Sequence, residues 1–230
     1  MPRLALRLAV TPAVHGLEHV TESDGPFIFV ANHPSALDEA LVRDALRGVT
    51  TRLVSVAVEP RAGIRGLVDH AFSLRSASRL GTLLKSGTSV LLFAEKNRTD
   101  DGSLAPLDLG AAALGIRTGV PLVPVSLLGT FRALPPWRTT VEPGRPRVSV
   151  LFSRPIRAGS GDELSTVTDE LAQAISTGLA EESRGWYGAL RSQADGAAPA
   201  GSDGQPEAGW RRMWKATATP TGPDRRRVWQ

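Results

Sequence analysis

The sequence predicts an α/β fold in which a mostly parallel central sheet is covered by helices. Short, fully apolar runs recur along the chain, as expected of strands that are buried on both faces. Segments with helical spacing separate these runs. The chain of 230 residues is long enough to bury one sizeable core without a disulfide or a metal, and it contains no cysteine. Thiolate nucleophiles and cysteine-bound zinc are therefore excluded.

The predicted elements follow one another between residues 27 and 182. Apolar runs predict strands, in chain order, at 27–31, 53–58, 71–74, 89–93, 122–127 and 147–152. Helical spacing predicts helices at 36–46, 77–85 and 110–118, and a closing amphipathic helix at 162–182. The first helix is expected to have Ser35 as its N-cap and to end near Gly48.

Three regions of the chain differ in composition. Residues 1–14 mix arginine with leucine and alanine, which predicts a short amphipathic helix that either lies on a membrane surface or packs on the protein. Residues 15–184 hold the alternating elements, and residues 185–230 predict a flexible basic tail with tryptophan and arginine. No apolar run approaches the roughly 20 residues of a membrane span. The net charge of +4 is too diffuse to indicate a nucleic-acid partner.

A chemically suggestive segment, NHPSALD, follows the first predicted strand and contains Asn32, His33 and Asp38. His33 comes just after the carboxyl end of a buried strand, where open α/β sheets bind their ligands. Asp38 can hold one ring nitrogen of His33 so that the other serves as a general base. The same aspartate also fits a capping box with Ser35, which requires no catalysis. This segment alone supports both interpretations.

A second polar segment follows the strand at 89–93 and contains Glu95, Lys96 and Arg98. Cationic side chains at a strand end suit an anionic ligand, because arginine can bind a phosphate through two parallel hydrogen bonds. A solvated loop is the plainer interpretation of this segment alone. Arg75 is a third candidate, for which a surface arginine is the plainer interpretation. The four histidines lack metal-binding spacing, so no metal site is predicted.

Taken together and in order, these segments resemble the sequence blocks of the glycerolipid acyltransferase family, which includes bacterial lysophosphatidic acid acyltransferases. The family's four blocks match, in order, the Asn-His-x4-Asp segment at 32–38, a strand closing on arginine at 72–75, the segment at 93–99, and Val-Pro-Val with Gly-Thr at 123–130. The resemblance covers about residues 14–157. Four blocks in the right order are more specific than any one of them.

The third block departs from the family pattern of Phe-Pro-Glu-Gly-Thr-Arg-Ser. Ala94, Lys96 and Asn97 replace its proline, glycine and threonine. A lysine adopts the positive φ of a glycine less readily. Asp108 also stands where the family usually has basic residues, ahead of the next glycine. The resemblance thus implies an intact acyl-transfer apparatus beside an altered acceptor site.

The resemblance implies a function as well as a fold. A fatty acyl group would pass from acyl-CoA or acyl-carrier protein to a hydroxyl of a lysophospholipid or related lipid, with His33 as general base and Asp38 orienting it. The other residues expected to shape the site or bind the substrate are Asn32, Arg75, Glu95, Lys96 and Arg98. No cofactor or metal is expected. The protein is expected to be cytoplasmic and peripherally bound to the inner face of the membrane.

Other functions are compatible with the same residues. A non-catalytic protein that binds a lipid or CoA could keep the fold, and a membrane-surface adaptor could work through the tail. An acyl-thioesterase could use the pair of His33 and Asp38 to activate water. Ser35 leaves a covalent serine route open.

Overall fold

A six-stranded sheet forms the centre of the described part of the chain, which in this computed structural model comprises residues 3–22, 25–50, 52–57, 77–95 and 102–195. The strands are β1 (Thr11–His15), β2 (Ile28–Ala31), β3 (Leu53–Ala57), β4 (Ser89–Phe93), β5 (Leu122–Leu128) and β6 (Arg147–Phe152). The helices are α1 (Arg3–Ala9), α2 (Glu18–Thr21), α3 (Asp38–Ala45), α4 (Ala77–Lys85), α5 (Gly110–Thr118), α6 (Thr130–Ala133) and α7 (Leu164–Asp195). The chain divides into two compact units, Met1–Ala189 and Leu190–Gln230, and the sheet belongs to the first.

The strand order is β1-β6-β5-β2-β4-β3, and every neighbouring pair is parallel except β5 with β6. This mostly parallel arrangement confirms the predicted fold class. From β2 the chain goes on to β3, at one edge of the sheet, whereas from β4 it crosses back to β5, on the other side of β2. The carboxyl end of β2 is therefore a topological switch point, where open α/β sheets bind ligands. His33 follows β2 at this point.

The central strands are buried on both faces. Successive side chains of β2 point to opposite sides of the sheet. Phe29 packs in a core cluster with Leu41 of α3, whereas Ile28 packs in a second cluster with Leu114 of α5 and Leu171 of α7. Helices cover both faces of the sheet, so these strands have continuous apolar sequences and not alternating ones.

The amino-terminal region differs from its prediction. Residues 11–15 form the edge strand β1, so the predicted boundary between residues 14 and 15 falls inside a strand. The sequence did not predict this strand because it lacks a continuous apolar run: its residues are partly exposed and include Pro12. Proline in a sheet is confined to edge strands, which agrees with the position of β1. Leu6 of α1 is buried in the core, while Leu4 and Leu8 are 73% and 64% exposed. The segment thus packs on the protein, the second of its two predicted placements, and still presents two leucines to solvent.

The remaining elements lie close to their predicted bounds, with differences at the ends. α3 begins at Asp38, later than predicted, and α7 continues to Asp195 into the region predicted as tail. Val58 and the predicted strand at 71–74 lie outside the described residues, as does the chain after Asp195. Among the helices that the structure describes, none has the length and apolar character needed to cross a membrane.

Candidate active site

The imidazole of His33 and the carboxyl group of Asp38 form a close pair at the end of β2. His33 Nδ1 lies 3.0 Å from Asp38 Oδ2. The side chain of Asp38 is fully buried, whereas that of His33 is 12% exposed. An ionised carboxylate only accepts hydrogen bonds, so Nδ1 carries the proton and the lone pair of the neutral ring is on Nε2. This is the arrangement of a general base oriented by a carboxylate.

The same oxygen of Asp38 also stabilises the turn that precedes α3. The backbone N–H of Ser35 donates to Asp38 Oδ2 over 2.7 Å. The Ser35 hydroxyl accepts the N–H of Leu37 at 3.2 Å and donates to the carbonyl of Leu134 at 2.8 Å. Residues 35–37 therefore form a turn, and this is why α3 begins after the N-cap predicted at Ser35. One geometry thus satisfies both interpretations of the segment, and the buried, hydrogen-bonded hydroxyl of Ser35 is not presented as a nucleophile.

Two buried polar side chains hold the backbone around His33. The amide nitrogen of Asn32 donates to the carbonyl of Leu127 at 3.0 Å, and its Oδ1 accepts the N–H of Leu127 at 2.8 Å, which ties β2 to β5. Glu95 Oε1 accepts the backbone N–H of His33 at 2.8 Å, and Oε2 accepts that of Ala105 at 3.4 Å. These contacts position His33. The predicted contacts of Asn32 and Glu95 with a substrate stay predictions.

The ring of His33 is stacked on the ring of Phe93, the last residue of β4. Their centroids are 4.0 Å apart and their planes are inclined by 25°. The stack restricts the imidazole to one orientation, and an aromatic face favours the cation that forms when His33 takes a proton. The sequence placed Phe93 in a strand and in the third block. Nothing in its type or spacing indicated this contact.

Burial raises the pKa of both carboxyl groups beside His33. For Asp38, desolvation outweighs the hydrogen bonds from His33 and Ser35 and the neighbouring hydroxyl of Thr130, all of which act to lower the pKa. For Glu95, desolvation outweighs its two backbone donors. The hydrogen-bond donors around the two carboxyl groups therefore oppose the rise in pKa that burial causes.

The residues predicted to bind the acceptor lie in or beside two segments of the chain, before α4 and after β4. Arg75, Lys96 and Arg98 lie outside the described residues, so their predicted contacts stay predictions. Asp108 is described: its Oδ1 accepts the N–H of Gly110, the first residue of α5, at 2.7 Å. An acidic group thus occupies the amino-terminal end of α5.

Within the described ranges, no group of histidine, aspartate and glutamate side chains is arranged to hold a metal ion.

Comparison with known proteins gives related sequences. Residues 11–128 match the model of the family described as Acyltransferase. The chain is 31% identical over 163 residues to a chloroplastic 1-acyl-sn-glycerol-3-phosphate acyltransferase of Brassica napus, with 66% of this chain and 46% of that protein covered. It is 29% identical over 179 residues to the alpha 1-acyl-sn-glycerol-3-phosphate acyltransferase of Bos taurus, with 71% and 61% covered. The chain thus spans about half the length of the plant relative.

A solved structure has the same fold. The 1-acyl-sn-glycerophosphate acyltransferase PlsC from Thermotoga maritima superposes with a TM-score of 0.62 at 24% sequence identity. The match covers 78% of this chain and 75% of that chain. At this identity the likeness concerns the fold.

Proposed function

The chain belongs to the glycerolipid acyltransferase family, and from this premise we propose that it transfers a fatty acyl group from an acyl thioester to a hydroxyl of 1-acyl-sn-glycerol 3-phosphate or a related lysophospholipid. The observation that carries the proposal is the hydrogen-bonded pair of His33 and Asp38 at the end of β2. A buried carboxylate behind a partly exposed imidazole is suited to activating a hydroxyl group.

The geometry supports a direct transfer. His33 Nε2 takes the proton of the acceptor hydroxyl while the oxygen of that hydroxyl attacks the carbonyl carbon of the thioester. Asp38 Oδ2, already bonded to Nδ1–H, stabilises the imidazolium that forms. The carbon–sulfur bond then breaks, and the proton on His33 passes to the departing sulfur. No covalent intermediate on the protein is required, which agrees with the absence of cysteine and with the hydrogen-bonded Ser35 hydroxyl.

The identity of the two substrates is proposed from the sequence resemblance. The acyl donor is acyl-CoA or acyl-carrier protein, and Arg75, Lys96 and Arg98 bind the head group of the acceptor. Asp108 supports an acceptor site that differs from the family pattern, because its carboxylate occupies the helix end to which an anion would otherwise be attracted.

A membrane surface is the proposed source of the acceptor. β5 ends, and β1 and β6 begin, at the edge of the sheet where β2 also ends. Leu4 and Leu8 are exposed on α1, the helix that leads into β1, and Trp137 is 66% exposed beside Phe131. The arginines near these residues along the chain are Arg7, Arg132, Arg138, Arg145 and Arg147. Arg7 is paired with Asp44 and Arg138 with Glu142. Exposed leucine and tryptophan among arginines suit anionic lipid at the inner face of a membrane.

The test measures thiol release and lipid product formed by the chain of 230 residues. Acyl-CoA and acyl-carrier protein serve as donors, and lysophosphatidic acid, other lysophospholipids and a non-phosphorylated lipid alcohol serve as acceptors. Product should form only with an acceptor. His33→Ala and Asp38→Ala should each lower the rate by a factor of about 10² to 10⁴, whereas His15→Ala, an exposed histidine on β1, should not.

The same measurement separates the alternatives. Thiol release that is independent of any acceptor identifies a thioesterase. Binding of lipid or CoA without release identifies a non-catalytic binding protein. A chain that forms no lipid product, and that loses membrane binding when residues 186–230 are deleted, is an adaptor that works through its tail. Each of these three outcomes contradicts the proposed transfer.

A further inference from the structure

Two buried side-chain oxygen atoms at the candidate site lack a hydrogen-bond partner among the described residues. They are Oδ1 of Asp38 and Oγ1 of Thr130, and both side chains are fully buried. The Thr130 hydroxyl is close enough to the Asp38 carboxyl group to lower its pKa. The hydroxyl and the carboxyl group are therefore neighbours, although no hydrogen bond joins them. Buried polar atoms without a partner are rare and costly, so this pair calls for a physical reason.

The fold fixes the position of Thr130. Gly129 has a φ of 73°, and a Cβ there would lie 2.5 Å from the carbonyl oxygen of Arg147, so only glycine fits at this turn. The N–H of Leu134 donates to the carbonyl of Thr130 at 2.9 Å, and the carbonyl of Leu134 accepts the Ser35 hydroxyl. α6 and the turn at 35–37 are thus tied together, with Thr130 against Asp38.

We propose that the Thr130 hydroxyl donates a hydrogen bond to Asp38 Oδ1 in the working enzyme and acts as a positioning residue for the pair of Asp38 and His33. This inference rests on the proposed function. Oδ2 is already held by His33 Nδ1 and by the N–H of Ser35. With Thr130 on the other oxygen, the carboxylate has a donor on each side, cannot rotate and stays ionised.

The charges around Asp38 make this third donor important. Among the described residues, Glu95 faces it from the end of β4, and the negative charges of the two groups repel each other. Glu39 follows it on α3 and is paired with Arg43. His33 faces it from the end of β2, and α6 contributes the neutral hydroxyl of Thr130. Loss of that hydroxyl therefore raises the pKa of Asp38, and a protonated Asp38 cannot stabilise the imidazolium.

The experiment compares Thr130→Val, which keeps the shape and removes the hydroxyl, with Thr130→Ser, which keeps the hydroxyl. Thr130→Val should lower kcat about 10- to 100-fold with little change in acceptor KM, because one hydrogen bond to a charged group is lost. The acidic limb of its pH–rate profile should move to higher pH by about one unit. Thr130→Ser should recover most of the lost rate. Thr168→Val is the matched control, since this buried threonine bonds its own helix through Leu164, at 2.7 Å.

A second measurement is independent of turnover. The carboxyl carbon of Asp38, assigned with Asp38→Asn, is titrated by ¹³C NMR in the wild type and in each variant. Its pKa should rise in Thr130→Val and stay near the wild-type value in Thr130→Ser and Thr168→Val. An unchanged pKa in folded Thr130→Val overturns the inference.

Two further results are informative. If Thr130→Val does not fold, Thr130→Ala is measured in the same way, and an unchanged Asp38 pKa there overturns the inference equally. If the wild type transfers no acyl group, the proposed function fails, but the carboxyl titration still decides the part played by Thr130.

Discussion

His33 lies over Phe93 because the neighbouring strands β2 and β4 end at the same level of the sheet. Ala31 of β2 is the register partner of Phe93 in β4, and His33 turns back over the ring two positions later. Glu95, two positions beyond Phe93, accepts the backbone N–H of His33. The two strand ends thus hold each other through a ring stack and a hydrogen bond, and His33 is oriented before any substrate arrives.

We expect Phe93→Leu to lower kcat by a factor of about 2 to 30, because a stacked aromatic face stabilises a cation by roughly 0.5 to 2 kcal/mol. The acceptor KM should change less than kcat, since the stack acts on His33 and not on the lipid. Steady-state kinetics with the acceptor varied gives both constants.

Phe27→Leu is the matched control for Phe93→Leu. Phe27 is buried at the other end of β2 and packs against Phe29. The Phe27→Leu variant should lose about as much stability as Phe93→Leu, but its kcat should stay near the wild-type value. An equal fall of kcat in both variants would show that the effect belongs to the core and not to His33.

The raised pKa values predict how activity and stability depend on pH. Asp38 and Glu95 have pKa values above their ordinary values of 3.8 and 4.5. Between the ordinary and the raised value, the folded state binds a proton that the unfolded state does not. The contribution of these groups to stability therefore rises as the pH falls through the folded-state pKa. Transfer should cease in the same window, because Asp38 becomes neutral.

The measurement is the thermal midpoint of the wild type and of Asp38→Asn at a series of pH values. The midpoint of the wild type should rise relative to that of the variant as the pH falls from neutral towards the ordinary pKa. Activity of the wild type should decline before its fold is lost. A difference between the two midpoints that does not vary with pH would contradict the raised pKa of Asp38.

Membrane binding should depend on the exposed residues at the edge of the sheet where β2 ends. Trp137→Ala, and Leu4→Ser with Leu8→Ser, should weaken sedimentation with anionic vesicles. High salt should weaken binding of the wild type, since each arginine near an anionic surface contributes about 1 kcal/mol.

Leu164→Ser is the matched control for these variants, because Leu164 is also exposed but begins α7, beyond the opposite end of β6. An equal loss of vesicle binding in Leu164→Ser would contradict the assigned edge. Wild-type binding that survives both high salt and carbonate extraction would indicate an integral anchor.

We expect Lys96→Gly to alter the acceptor KM and to leave the acyl-CoA KM nearly unchanged. Loss of one charge-assisted hydrogen bond lowers kcat/KM for the acceptor by about 10- to 150-fold. Lys85→Ala, at the exposed end of α4, is the control. Unchanged acceptor kinetics in Lys96→Gly, together with highest activity on lysophosphatidic acid, would contradict an altered acceptor site. The third block would then differ from the family pattern without any effect on the choice of acceptor.

The central sheet was predictable from the sequence because burial on both faces leaves a continuous apolar run. β2 and β4 are of this kind, and every residue in them is buried. β1 was not predictable, because an edge strand of half-exposed residues with Pro12 has no such run. The start of α3 was displaced because the Ser35 hydroxyl bonds within a turn and to Leu134, a residue far along the chain.

The candidate site was predictable only where its partners are near in sequence. His33 and Asp38 are five positions apart and fall within one turn, so the spacing indicates their contact. The contacts of Phe93, Glu95 and Thr130 with this pair depend on which strands are neighbours in the sheet. Residue type alone does not reveal that order, and for Thr130 the sole signal was the Gly-Thr pair after a buried strand.

The shared oxygen of Asp38 has a consequence for tracing this family through genomes. Because Oδ2 accepts the Ser35 N–H as well as His33, the turn before α3 needs the aspartate whether or not any chemistry takes place. A descendant that had stopped transferring acyl groups would no longer need the imidazole of His33 for chemistry, but its turn would still need the aspartate five positions later. On the proposed mechanism, the aspartate would therefore mark common ancestry in degenerate relatives, and the histidine would mark a working enzyme.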